Sequence, residues 1–505
     1  MSAAPGAGVR RRPARGGVAR RAARLAAALL LLGAGPAGAL ERLPAVLHVH
    51  SDLSTGDLSL EALAERAAAQ GIGALLLSEN YLLRVEYGLP PFRALTRVAH
   101  EEPSVRAAGL ERYLARVAEV RRRYPAVLIV PGVEVLPHYH WSGSPLGLAL
   151  TLHNVQKNLL VFGLADAAAL RALPVIGNGA GRRLTWQSAL DALPALLLVP
   201  GVVLVARKRP RRRRLGRAWV VLRERAWLPG ALLIAVGLLA LVRGWPFAVE
   251  RFPWWEEHGL APHQAVIDEV DRRGGLTVWS FPEAPDYGTR WLGPLRVDWR
   301  TDPAPDDLLR SFRYTAFGAV YEQPTRVAEP GGTWDRLLVQ YAAGERSRPA
   351  WAVGEAGFHG ATAGKRLGSV QTVFLVEARS EAALLDAFRR GRLYALHRTP
   401  ERALVLGEFA VVAAGVAAGP GETLRLPPGT PLEVRLAVTT SDGAAEPLRV
   451  TLVDTGTVAE VWAGPAPLRA VHRATFDGRP RVFRLEVRAP APHRLLASPV
   501  FVRAR

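Results

Sequence analysis

Two histidines one residue apart, His48 and His50, stand at the end of the short apolar run 45–49. At a strand end, residues i and i+2 point to one face, so imidazoles spaced this way suit a single shared divalent ion. The alternative is a pair of buried, hydrogen-bonded histidines. Other chemistries drop out. The chain has no cysteine, which removes thiolate metal sites, cysteine nucleophiles and disulfides. It has no Gly-x-Ser-x-Gly nucleophile elbow. The glycine-rich stretch 177–183 lacks a following Lys-Ser/Thr and reads as a loop rather than a phosphate cradle.

The elements that must carry these histidines alternate strand and helix. Residues 45–49 read as a strand and Ser59 as an N-cap, with Leu60, Leu63, Ala64, Ala67 and Ala68 at helical spacing. Gly71 ends that helix, and 72–77 is the next buried strand. A helix over 113–124 leads into a strand over 126–130. Later, a helix over 263–273 stops at Gly274-Gly275 before a strand over 276–280, and Ser380 caps a helix over 381–390. This pattern predicts an α/β fold whose mostly parallel strands present chemistry at their C-terminal ends. Beyond residue 400 the period falls to two: Leu432, Val434, Leu436 and Val438 alternate with charged or small residues, as do Phe483, Leu485 and Val487. A C-terminal all-β sandwich over 401–505 follows.

Three segments read as membrane signals. Residues 1–40 hold seven arginines and no acid, then the apolar run 25–32 and the small-x-small site Ala37-Gly38-Ala39, which is the form of a signal peptide or N-terminal anchor. The apolar stretches 190–206 and 226–242 are at the short end of what spans a bilayer. Between them, 207–225 carries ten basic residues against Glu224 alone, and Trp227 and Trp245 bracket the second stretch. A transmembrane hairpin over 189–245 with a cytoplasmic basic loop over 207–225 follows from the positive-inside rule. Residues 41–188 and 246–505 then share the outer face of a bacterial cytoplasmic membrane. Use of arginine over lysine (Lys157, Lys208 and Lys365 are the only lysines) fits a GC-rich bacterial genome. The net charge of +20 is concentrated beside apolar runs, so it reads as topology and no nucleic-acid partner is expected.

The opening HxHSxxSxG stretch at 48–56, the capped helix ending in Gly71-Ile72, and Pro131-Gly132-Val133-Glu134 together resemble the PHP family, named for polymerase and histidinol phosphatase. The resemblance covers 41–188 and 246–400, the hairpin being inserted within it. It implies a distorted (β/α)7 barrel with a metal cluster at the strand C-termini, hydrolysing phosphate esters. By the resemblance, His48, His50 and Glu134 fall on metal-ligand positions, and His359 on the histidine of a late Asp-x-His-Gly. Glu79 stands in place of a Thr-Asp-His aspartate. Four other ligand positions are lost: Asn80, Asn158, Phe281 and Gly357 replace His, His, His and Asp. His138, His140 and His153 are candidate replacement ligands, or else a loop pair beside Trp141 and a hydrogen-bonded core histidine. Asp52, Asp57 and Glu283 are nearby carboxylates.

The reading that combines these is a membrane-tethered, extracytoplasmic PHP-like phosphoesterase with a reduced site for Zn, Mn or Fe. Its partners would be the membrane and a phosphorylated small-molecule or polymer substrate. The alternative is an inactive PHP-like binding or sensory module at the cell envelope.

Overall fold

The computed structural model describes residues 40–505, apart from residue 165. The expected export segment 1–40 therefore lies outside the described residues save for Leu40.

The first strand, Glu41–Val49, pairs in parallel with Ala74–Leu77, which pairs in parallel with Leu128–Val130. Between them runs the helix Leu60–Ala69, its N-terminus capped by Ser59 accepting from the Ala62 N–H at 3.2 Å. Its buried stripe is Leu60, Leu63, Ala64 and Ala67. The helices Leu110–Arg123, Ala261–Arg272 and Glu381–Arg390 also form where apolar spacing places them.

Among the described residues no closed barrel is found. The strands that carry the site fall into two sheets, because the chain changes sheet at Ser78 and again at Pro131. Beyond those points Glu79–Asn80 and Gly132–Val135 enter a second, six-stranded sheet with Leu159–Phe162, Leu276–Trp279, Ala316–Val320 and Trp351–Gly354. Proline has no N–H to donate, so the ladder must break where Pro131 stands. The two sheets meet again after Trp351–Gly354: Phe358 N donates to His48 O and His50 N to Phe358 O, both at 2.9 Å. Nor is the second sheet wholly parallel. Leu159–Phe162 runs antiparallel to both neighbours, which puts its N-terminus among the C-termini of the others.

The first sheet continues past residue 400. Leu393–His397 pairs with Arg494–Ala497, so eleven strands run from the α/β unit into the sandwich. The expected alternation in the sandwich is seen, with Leu432, Val434, Leu436, Val438, Phe483, Leu485 and Val487 buried. Arg484 and Glu486, the charged residues of that alternation, are buried too. Their face packs on the α/β unit, where Arg484 makes a two-pronged pair with Asp335 at 2.5 and 2.7 Å and lies over the Trp334 ring.

Two helices, Trp186–Ala206 and Trp227–Gly244, are long and apolar enough to cross a membrane, and only 17% of each apolar stretch is buried in the fold. At 1.5 Å per residue they measure about 32 and 27 Å, against a hydrocarbon core of about 30 Å. They touch through glycine: a Cβ at Gly201 would lie 3.0 Å from the Gly230 carbonyl oxygen, and one at Gly230 2.9 Å from that of Gly201. The segment between them, expected as a loop, is an antiparallel ribbon of Lys208–Leu215 and Ala218–Arg225. Arg211–Arg214 follow one another on the first strand, opposite Leu222, Val221, Val220 and Trp219, so their charges alternate between its two faces, and the β-branched pair at 220–221 favours extended backbone.

Replacing Arg484 by Met leaves Asp335 buried without its counter-charge, keeping only the Gly331 N–H at 2.7 Å, a loss of about 3–5 kcal/mol. Denaturant unfolding of Arg484→Met beside the double variant Arg484→Met, Asp335→Leu should show that loss in the single variant and recovery of most of it in the double.

Candidate metal centre

The site lies where strand ends gather. His48 and His50 end the first strand, Glu134 sits in Gly132–Val135, Asn158 precedes Leu159–Phe162, Ser280 and Phe281 follow Leu276–Trp279, and Glu355 follows Trp351–Gly354. The histidines are delivered by a bulge and not by plain strand alternation. Pairing with Ala74–Leu77 shifts register between Leu47 and Val49, and His48 adopts φ 70°. Left-handed backbone at a non-glycine residue costs about 1–3 kcal/mol and persists only where its surroundings hold it.

His48, His50 and Glu134 offer donor atoms all within 4.8 Å of one another. His48 Nε2 lies 3.5 Å from Glu134 Oε1, His50 Nε2 3.4 Å from Glu134 Oε2, and the two Nε2 atoms 3.1 Å apart. Ligands placed tetrahedrally at 2.0–2.2 Å from an ion stand about 3.3–3.6 Å from each other, so the spacing fits. The hydrogen-bond network also assigns the tautomers. His48 Nδ1 donates to Glu355 Oε1 at 2.6 Å, and His50 Nδ1 to Ser54 Oγ at 3.3 Å, that hydroxyl donating onward to Glu79. Both Nε2 lone pairs are thereby aimed at the carboxylate. Two lone pairs and a carboxylate converging in a buried pocket repel unless a cation sits among them, which is the chemistry of a metal site.

Without an ion, a proton does that work. Burial opposes charge on His48, but Glu134 and Glu355 outweigh it and push its pKa up to about 9. Burial would raise the Glu134 carboxyl, but His48, His50 and the Asn158 amide hold it at about 2. His50, buried and beside the charged His48, is held well below the ordinary histidine range.

The other candidates divide. The His359 ring stacks on His50 at 4.0 Å between centroids, with Nδ1 3.1 Å from Thr55 Oγ1, and stands outside the group of three. Glu79 lies behind His50, its oxygens taken by Ser51 N, Ser51 Oγ and Ser54 Oγ. Burial pushes its pKa up to about 7. His138, His140 and His153 gather elsewhere, with His258: the His140 and His153 rings stack at 4.6 Å, and His138 meets His258 at 5.1 Å. Asp57 caps Thr362, and Glu283 accepts from Arg326 N and Val327 N. Asp52 is exposed.

The positions where ligands are lost do other things. Asn158 donates to Glu134 at 2.9 Å and orients it. Asn80 donates to Thr55, the partner of His359. The Phe281 ring stacks on His48 at 5.2 Å. At Gly357 a Cβ would fall 2.7 Å from Phe281 and 3.1 Å from Lys365 Nζ, so ring and ammonium fill the space an aspartate there would need. Sequence reasoning missed both Glu355 and Lys365. Glu355 is fully buried, holds His48, and also accepts from Ser280 Oγ at 2.6 Å and Phe281 N at 3.0 Å. Its signal was a carboxylate immediately after a buried strand. Lys365 lines the same cleft, donating to Ala356 O at 2.9 Å. The cleft encloses about 480 Å³ between His48, Glu134, His359 and Lys365.

No protein-family model matches the sequence, and no curated protein matches it. Among solved structures, it is similar to a two-domain Bacteroides vulgatus protein described as containing a predicted PHP-like metal-dependent phosphoesterase. The two share 10% identity over 90% of this chain and 95% of that one, with a TM-score of 0.34. It is also similar to an amidohydrolase from Chromobacterium violaceum with bound sulfate and no metal, at 15% identity over 62% of this chain and 87% of that one, TM-score 0.25. Fibronectin(III)-like modules from Clostridium thermocellum match 19% of this chain and 97% of theirs, at 16% identity and TM-score 0.14.

Two outcomes follow from the site. Glu355→Gln should weaken metal binding about 10- to 100-fold, as loss of an orienting carboxylate does, read by competition with a chromophoric chelator. His48 is protonated at pH 7, its pKa being raised to about 9, so an ion must displace that proton. Zn²⁺ titration calorimetry in buffers of different ionisation heat should show about one proton released at pH 7, and affinity should rise about tenfold per pH unit up to pH 9.

Proposed function

We propose that this chain is a membrane-tethered, extracytoplasmic PHP-like hydrolase of phosphate esters that works with a reduced metal site. The observation that carries the reading is the convergence of His48 Nε2, His50 Nε2 and a Glu134 oxygen within 4.8 Å at the foot of an open cleft. A divalent ion bound there supplies Lewis acidity to phosphate oxygens and acidifies water. The chain's own groups do the rest. Glu355 and Ser54 fix the histidine tautomers, and Asn158 fixes Glu134. The Lys365 ammonium, on the cleft wall, meets the negative charge of a phosphoryl group. The Phe281 ring keeps water from one side of His48.

Three protein ligands leave coordination open for substrate, the arrangement of catalytic rather than structural sites. The tether is the pair of apolar helices, and the basic ribbon between them favours the cytoplasm for 207–225, with the α/β unit and sandwich on the other side. A second reading, an inactive binding module, is favoured by one observation: His48 and Glu134 neutralise each other without an ion.

The full chain, purified in detergent and loaded in turn with Zn, Mn and Fe, separates the two. The hydrolase reading expects bound metal and turnover of p-nitrophenyl phosphate, with both lost to background in His48→Ala. Stoichiometric metal without turnover of any phosphate monoester or diester, or no metal at all, leaves the binding module.

A further inference from the structure

A four-stranded sheet stands outside the two main ones, in the order Asp286–Leu292, Leu295–Thr301, Ala149–His153 and His140–Ser144. It is two hairpins joined side by side. Their turns lie at the same end, since Arg296 pairs with Ala149 and Arg296 N donates to Leu148 O at 3.0 Å. The other end reaches the cleft, where Asp286 is part of the wall. At the turn end four large apolar side chains face outward: Leu146 is 95% exposed, Trp291 64%, Leu292 53% and Leu148 50%. No carboxylate occurs in 142–149 or 290–297, and Arg290 and Arg296 flank the cluster. Scattered exposed leucines need no explanation; four large apolar groups gathered on two adjoining turn tips do.

The base of the sheet is also tied to the chain on both sides of the apolar helices. The segment after Gly132–Val135 holds both of their roots: Ile176 N donates to Pro137 O at 3.3 Å, His138 Nε2 to Pro253 O at 3.3 Å, and Trp141 N to Trp254 O at 3.1 Å. Trp141 opens the first hairpin, so the tips extend from the foot of the apolar stem. Five-residue strands carry them about 17 Å beyond the base.

We infer that these two tips dip into the outer leaflet of the bilayer that the stem crosses, with Leu146, Leu148, Trp291 and Leu292 at the headgroup–acyl boundary and Arg290 on lipid phosphate, while Arg296 pairs with Asp298 at 3.0 Å just behind the tip. Apolar residues with tryptophan at the tips, with arginine beside them and the nearest acid, Asp298, already paired with Arg296, are a composition that partitions to that depth. The inference rests on the tethered reading above.

Because the chain has no cysteine, single reporters are clean. Leu146→Cys and Leu292→Cys, each labelled with a polarity-sensitive fluorophore, would be compared with Val416→Cys on the sandwich, in full-length protein reconstituted into phosphatidylglycerol/phosphatidylcholine vesicles. Expected are blue-shifted emission and quenching by brominated lipid at both tips and neither at Val416, with weaker quenching in pure phosphatidylcholine. Water-like emission at both tips, in protein that stays on vesicles through an alkaline wash, overturns the inference and leaves the tether standing. Protein that washes off overturns both. A blue shift that grows with protein concentration in lipid-free detergent assigns the tips to self-association and also overturns it. The double variant Leu146→Ser, Leu292→Ser, whose side chains touch no core, should keep its near-ultraviolet circular dichroism and remain on vesicles through the stem alone.

Discussion

Two imidazole lone pairs and a carboxylate pointed at one small buried volume cannot coexist without positive charge among them, and the surrounding structure holds them there regardless. Glu355 and Ser54 lock the rings from behind, Asn158 locks Glu134, and the bulged backbone at His48 is pinned by Phe358 from the far side of the fold. The contacts of Glu355 and Phe358 with His48 join residues some three hundred positions apart, whereas Ser54 lies only four residues from His50. The pocket is thus a product of how the two sheets are stitched, and the absence of a closed barrel does not loosen it: a few hydrogen bonds at the strand ends do locally what a continuous ladder would do globally.

The departures from the PHP pattern acquire a physical sense in that setting. Asparagine in place of histidine at Asn158 trades a ligand for a positioning amide. Phenylalanine at Phe281 and glycine at Gly357 make room for a lysine where further anionic ligands would otherwise stand. The net effect is a pocket with three clustered donors and, on the cleft wall, the Lys365 ammonium.

Local signals made much of this legible. Helix caps, the glycine after residue 70, the HxH pair and the apolar stem all depend on neighbours a few residues away, and they appear where spacing put them. Glu355 was invisible because what makes it matter is His48, more than three hundred residues earlier. His138, His140 and His153 share the residue type of metal ligands, but the hairpin that carries two of them stacks His140 on His153, and His138 meets His258 edge-on instead. The alternating strand at 481–488 shows a related limit: period two marks which side chains share a face, not which face is wet, and here the second face is covered by the α/β unit. The basic ribbon escaped notice because arginine runs carry no turn signal beyond Gly216.

The strand Leu159–Phe162 lies between Gly132–Val135 and Leu276–Trp279. One of its partners is made just before it and the other more than a hundred residues later, after both apolar helices. During synthesis, then, one edge of this sheet stays open until the stem is complete, and the pocket cannot assemble in a chain halted short of residue 279. Chain growth sets the order of events: the stem comes first, the second sheet closes next, and the pocket forms last.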